Sequence, residues 1–237
     1  MALITVKQRF DLGPTFVLAP ERYDPRRDSL KTESGAEKTI ALGSIASTVR
    51  QTVNPLKRSA DERWYVVLDT SDVREGVVIG KKTPVPVSEL GSAKKVVRRD
   101  DVLISRLRPY LRQVGFVDDD VFNPESGAEL ACSTEFFVLR SNTHASIAFL
   151  VPFLLSGPVQ KVLSASQEGG HHPRFDEEAL LTLPVPERLC AARDGCSAEV
   201  IRAVASYRLA ESTLTQLVVT AENAIAPNSN TTQKQKK

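Results

Sequence analysis

The chain has little of what metal and redox chemistry requires. Among 237 residues there are three cysteines, Cys132, Cys190 and Cys196, and three histidines. The cysteine number is odd and no C-x-x-C spacing occurs, so a structural zinc site is not expected. Free thiols in a reducing cytoplasm are the plain reading. Catalytic signatures are missing too. There is no G-x-x-x-x-G-K-[ST] phosphate loop, no G-x-G-x-x-G after a strand, no G-x-S-x-G elbow and no H-E-x-x-H. Asn54-Pro55 and Asn123-Pro124 continue with the wrong residues for the Asn-Pro-Pro-Tyr tetrapeptide with which amino-methyltransferases hold a flipped base. Neither an enzyme nor a bound metal or cofactor is expected. Long apolar runs are also absent. Residues 147–155 form the longest, which is too short to span a bilayer and contains Pro152. Lys7, Arg9 and Asp11 interrupt any signal-peptide core at the N-terminus. No membrane association is expected, and the chain reads as cytoplasmic. Finally, neither sign of charge dominates: 31 Lys+Arg stand against 29 Asp+Glu, a formal net charge of +2. That excludes a polybasic nucleic-acid tail and an acidic disordered segment.

What is present is an ordinary globular composition, 41% hydrophobic and 25% charged. A chain of this size buries roughly 70% of its unfolded surface. Four regions are expected. Residues 1–38 form an N-terminal extension, with a strand pair over residues 1–18. Residues 39–190 form the main domain, opened by a short helix over residues 42–49. Short β-branched and aromatic runs follow at residues 64–68, 76–79, 102–105, 113–117 and 135–139, separated by Gly, Pro and Asp clusters. From residue 142 the pattern turns helical. Thr143 is placed to cap a first helix, Gly157-Pro158 to end it and begin a second, and Asp176 to open a third. Residues 197–226 read as one long helix. Val200, Val204, Tyr207, Leu214, Val218, Ala221 and Ile225 recur at 3–4 spacing, interrupted by Glu211. Residues 227–237 are a polar tail expected to be disordered. The expected class is α+β: a twisted, mostly antiparallel sheet or partial barrel with peripheral helices, then a long C-terminal pairing helix.

The informative stretch is residues 94–112. It carries Lys94, Lys95, Arg98, Arg99, Arg106, Arg108 and Arg112, offset only by Asp100 and Asp101. Arg106 and Arg108 stand two apart, so in a strand they share a face. Two guanidinium forks with Tyr110 beside them suit phosphates or guanine edges of duplex DNA. Lys57 and Arg58, in the loop before the first strong strand, add to this. The bland alternative is a solvated strand face balanced by the acidic residues from Asp118 to Glu129. His171-His172 is a poor metal pair, because adjacent side chains diverge, and reads as a partner-contacting loop with Arg174. Asp118-Asp119-Asp120 reads as a solvated turn.

These pieces, in order, resemble the target-recognition domain of type I restriction–modification specificity subunits. The resemblance lies in residues 101–112 (DVLISRLRPYLR), 114–117 (VGFV) and 132–139 (CSTEFFVL). It extends to an opening Leu42-Gly43-Ser44-Ile45-Ala46, a loop Gly169-Gly170-His171-His172-Pro173-Arg174-Phe175 and a closing Leu183-Pro184-Val185-Pro186. It covers residues 41–226, is strongest from 100 to 186, and leaves residues 1–38 without a counterpart. The resemblance implies a recognition domain followed by a long helix, two such units in a full subunit, and here a single-domain or half-subunit form. It implies double-stranded DNA and a DNA methyltransferase subunit as partners, and leaves open a translocating restriction subunit. It also implies either a homodimer or pairing with a second recognition subunit through Val200, Val204, Tyr207, Leu214, Val218 and Ile225. Base contacts are expected from Arg106, Arg108, Lys57, Arg58 and residues 171–174. Phosphate contacts are expected from Lys94, Lys95, Arg98, Arg99 and Arg112. A different reading keeps the fold as a non-catalytic adaptor in a phage-defence or DNA-modification complex, acting mainly by protein contacts.

Overall fold

In the computed structural model, residues 4, 6–12, 23–25, 38–55, 63–79, 82–121, 127–168 and 172–225 are described. Strands dominate the first part. In chain order they are β1 (Thr39–Ala41), β2 (Ala46–Thr48), β3 (Thr52–Val53), β4 (Trp64–Leu68), β5 (Val73–Arg74), β6 (Gly76–Val78) and β7 (Val85–Pro86). Then come β8 (Lys94–Val97), β9 (Val102–Ser105), β10 (Val114–Phe116), β11 (Glu129–Cys132) and β12 (Phe136–Ser141). Helices α1 (Leu150–Leu155), α2 (Gly157–Ala165) and α3 (Glu177–Leu181) follow, then β13 (Pro184–Pro186), α4 (Glu187–Ala191) and the long α5 (Arg193–Ile225).

The strands form a six-stranded sheet, β2-β12-β9-β10-β6-β5, a five-stranded sheet, β3-β8-β11-β4-β7, and the separate pair β1-β13. Among the described residues the pairings are antiparallel except β10 with β6 and β11 with β4. The sheets do not close into a barrel. Period-two patterning explains why they stack. On β12, Phe137 and Leu139 join the core beneath the helices, while Phe136 and Val138 join the core shared with the second sheet. On β9, Val102 and Ile104 face the helices and Leu103 faces the other sheet. Both faces of the six-stranded sheet are therefore covered, which is why the runs at residues 102–104 and 136–139 are continuously apolar. Tyr65, Val96 and Ala131 face a third, smaller core on the outer side of the five-stranded sheet, closed by Val87 and Leu90. Gly115 lets β10 approach its neighbours. A Cβ there would stand 2.7 Å from Val73 Cγ1 and 3.0 Å from the Val77 carbonyl oxygen.

Several local expectations change. Residues 42–49 are not a helix. Leu42–Ser44 is a 3-10 turn and β2 follows, because Leu42 and Ala46 are both drawn into the core. Thr143 caps no helix: its Oγ1 accepts from the Ala145 amide in a local turn, and α1 begins only at Leu150. Asp176 does cap α3, accepting from the Ala179 amide at 2.7 Å. The strand pair expected over residues 1–18 lies largely outside the described residues, within which Arg9–Leu12 make one 3-10 turn. The tail at residues 227–237 lies outside them altogether.

The long helix starts at Arg193 rather than Ser197. Its first half is docked. Ser197 is buried and its Oγ accepts from the Phe149 amide at 3.2 Å. Val204 is buried, and Val200 packs against the same core. Arg208 makes the last strong attachment. Its guanidinium donates to both Asp118 carboxylate oxygens, at 2.9 and 3.0 Å, and to the Val78 carbonyl at 2.6 Å, with Glu211 at 3.4 Å. Every residue from 212 to 225 is exposed. At ~1.5 Å per residue, that is roughly 21 Å of helix reaching away from the domain. The expected seam is thus divided: Val200 and Val204 belong to the chain's own core, while Leu214, Val218 and Ile225 face solvent. No helix of the described residues is long and apolar enough to cross a membrane.

Candidate nucleic-acid interface

The basic stretch contiguous in sequence is split in space. Ser105 pairs with Phe136 at one end of β9, and Val102 with Leu139 at the other. Lys95, Arg106, Arg108, Tyr110 and Arg112 gather at the first end. Arg98 and Arg99 lie in the turn between β8 and β9, at the far end, about 13 Å away at ~3.3 Å per strand residue. The far end is the one where Arg208 anchors α5.

At the first end a carboxylate absent from the sequence-based site organises the arginines. Glu135 immediately precedes β12. Arg174 donates from Nε to its Oε2 at 2.8 Å and from a terminal nitrogen to its Oε1 at 2.6 Å. Arg106 donates from Nε to Oε2 at 3.1 Å. The backbone holds all three in place. The Arg106 amide donates to the Glu135 carbonyl at 2.9 Å, and Leu107 and Arg174 are bridge partners. The loop bearing His172 is closed by paired hydrogen bonds between Glu168 and Arg174 and by Gln167 Nε2 donating to the Pro173 carbonyl. The exposed His172 gives its carbonyl to Arg174. Arg174's hydrogen bonds, opposed by burial and reinforced by Arg106, hold the Glu135 carboxyl below the usual glutamate range.

Arg106 and Arg108 do not share a strand face. β9 ends at Ser105, and Arg108 takes a left-handed backbone at φ 44°. Arg112 is likewise left-handed at φ 52°, and the 3-10 turn Pro109–Leu111 lies between them. This turn buries Pro109 and exposes Arg108, Leu111 and Tyr110, the last at 67%. Arg108 has no ion pair among the described residues. Arg112 is a brace, not a free phosphate ligand: its Nε is held by Glu75 at 2.9 Å and a terminal nitrogen by the Leu155 carbonyl at 2.8 Å.

Lys95 is also committed internally. It donates to the Phe136 carbonyl at 2.6 Å, lies 5.2 Å from the centre of the Phe137 ring, and is held below the usual lysine range by burial. Lys94 donates to Ser92 Oγ at 3.0 Å. At the far end Arg98 is exposed, while Arg99 pairs with Asp119 at 2.9 Å. Asp118 is not in a solvated turn, since Arg208 sequesters it. Asp101 is buried against Arg140, with contacts of 2.8 and 2.6 Å, so two acidic residues expected to offset the basic stretch serve the fold instead. Lys57, Arg58 and His171 lie outside the described residues. Among the described residues, no group of three or more His, Cys, Asp or Glu could hold a metal ion.

No family model matches the chain. Over 159 residues it is 26% identical to the type I restriction enzyme HindI specificity subunit of Haemophilus influenzae, covering 64% of this chain and 32% of that protein. A chain of a solved type I restriction–modification system superposes with a TM-score of 0.52 at 24% identity, over 81% of this chain and 50% of that one. The HsdS subunit of Thermoanaerobacter tengcongensis gives 0.49 at 22%, over 84% and 52%. The resemblance read from the motifs therefore reappears in sequence and fold. The chain spans about a third of the curated relative and half of each solved chain.

Proposed function

We propose that this chain is a non-catalytic, sequence-specific recognition subunit for double-stranded DNA in a type I restriction–modification system. One recognition end carries Arg106, Arg108, Tyr110, His172 and Arg174. It delivers a separate DNA methyltransferase subunit to the site. The observation that carries this reading is the turn at residues 108–112. Arg108 and Arg112 take left-handed backbone, as Glu75 and Asp100 do in other turns. Between them the turn presents Arg108, with no ion pair among the described residues, beside an exposed Tyr110, a guanidinium and a ring suited to phosphate and base contacts.

The partner proposed for a two-part site is a second recognition unit. The second copy is favoured by residues 212–225, which expose Leu214, Leu217, Val218 and Ile225 and carry no Lys or Arg. Two such helices paired antiparallel hold two recognition ends on one duplex, whose turn repeats every ~34 Å.

The test is duplex binding across a salt series. Lys95 and Arg112 are held by contacts within the domain, so fewer phosphate contacts per chain are expected than the five read from sequence. Two or more contacts give a log–log slope of about −1.8 or steeper. A slope near zero rules out DNA recognition and favours the adaptor reading. Co-purification of a methyltransferase subunit with the native protein tests the partner.

A further inference from the structure

Two of the recognition end's cations are aimed at one carboxylate instead of at solvent. The Arg174–Glu135 contact is bidentate, the strong geometry for a guanidinium. Yet the cluster is not sealed. The side chains of Arg106, Arg174 and Glu135 remain 36%, 34% and 25% exposed, so a nucleic-acid backbone can reach them. Arg106 gives only its Nε to Glu135, and its two terminal nitrogens have no partner among the described residues. A phosphate approaching Arg174 has to displace a carboxylate already seated, and one approaching the free terminal nitrogens of Arg106 meets the negative charge of Glu135 beside them. A guanine edge carries no net charge and escapes that repulsion at Arg106: its N7 and O6 accept from the terminal nitrogens while Nε stays on Glu135.

We propose that Glu135 is a specificity-determining positioning residue, a carboxylate that withholds Arg106 and Arg174 from indiscriminate phosphate contact and orients Arg106 toward a base edge. The proposal rests on the DNA-recognition reading above. It sets Glu135 apart from a merely structural ion pair by sign, because loss of an attractive contact would then tighten binding to the wrong DNA. The nearby cations do not alter this. Lys95 is occupied by the Phe136 carbonyl and Arg112 by Glu75, so neither competes for Glu135.

The experiment measures binding of a fluorescent random-sequence duplex to the full chain over a potassium chloride series. Glu135→Gln keeps the side-chain shape and removes the charge. It should bind the random duplex about tenfold more tightly at low salt. Its log–log slope should be steeper by roughly 1.8, two released cations at about 0.9 each. Arg174→Gln in the native background should leave the slope unchanged, since Arg174 makes no phosphate contact there. That second variant serves if Glu135→Gln unfolds. The proposal is overturned if Glu135→Gln, folded as judged by thermal melting, binds no more tightly at an unchanged slope. It is equally overturned if Arg174→Gln alone makes the slope shallower by about 0.9. Failure of the underlying reading looks different: wild type and all variants then show no salt-dependent binding.

Discussion

The side chain that changes most in meaning between sequence and structure is Arg108. Its left-handed backbone costs a non-glycine residue roughly 1–2 kcal/mol, and nothing in its side-chain contacts offsets that. Arg108→Gly should therefore raise stability by about 1 kcal/mol in chemical denaturation while weakening duplex binding. A glycine variant that loses stability would show that the turn is held for structural reasons. Arg112, equally left-handed, makes the contrast, because its glycine variant also loses the contacts with Glu75 and the Leu155 carbonyl. Glu135 allows a pH test. Its carboxyl titrates lower in the folded protein than in the unfolded chain, with Arg174 as the main cause. Its contribution is therefore fully present above the ordinary glutamate range of about 4.3 and is lost as pH falls through the lower folded value. Amide exchange at Arg174 and Phe175 should accelerate relative to the intrinsic rate over that acid window. In Glu135→Gln the same amides should show no such step.

At the scale of elements, α5 is one helix with two duties. Arg208→Gln should cost up to roughly 3 kcal/mol, because it leaves the partly buried Asp118, whose side chain is 14% exposed, without its cation. Leu214→Glu should leave the melting temperature unchanged and reduce self-association in sedimentation velocity. If Leu214→Glu destabilises the domain instead, the distal half is packed and not an arm. The division was illegible beforehand for a physical reason. A 3–4 apolar period says that a helix face is covered, not by what, and Val204 and Leu214 carry the same signal. The doubly buried strands β9 and β12 were legible as uninterrupted apolar runs. By contrast, short or polar strands such as β3, β5 and β8 carry no such pattern. The register of basic residues was legible only in part. Alternation puts Arg106 and Arg108 on one face only while the strand continues, and here it ends at Ser105. Glu135 could not be found at all from local pattern. Its partners lie 29 and 39 residues away, brought to it by the pairing of β9 with β12 and by the loop that returns at Arg174.

For the whole molecule, the placement of charge replaces its sum. The formal +2 conceals basic residues at two opposite ends of the sheets, with most of the acidic residues between Asp101 and Glu135 engaged by particular arginines. The position of the helix docking decides which truncation is informative. Cutting at Ser197 removes Val204 and opens the core, so loss of DNA binding would then report unfolding. Ending the chain after Ser212 keeps Val204, Arg208 and Glu211. That shortened protein should melt as the full chain does, sediment as a monomer, and bind a two-part site more weakly than the intact protein. An unchanged sedimentation coefficient would place the self-association elsewhere. A last consequence follows from the pairing of β1 with β13, which sets Thr39 opposite Pro186 and Ala41 opposite Pro184. The chain enters and leaves the domain through hydrogen-bonded neighbours, as at the neck of a drawstring bag. On the proposed function, whatever lies between would be exchangeable for a unit with a different reading surface without moving the point from which the chain runs on into α4 and α5, provided the core that receives Val200 and Val204, the Phe149 amide that donates to Ser197 and an acidic partner for Arg208 are kept.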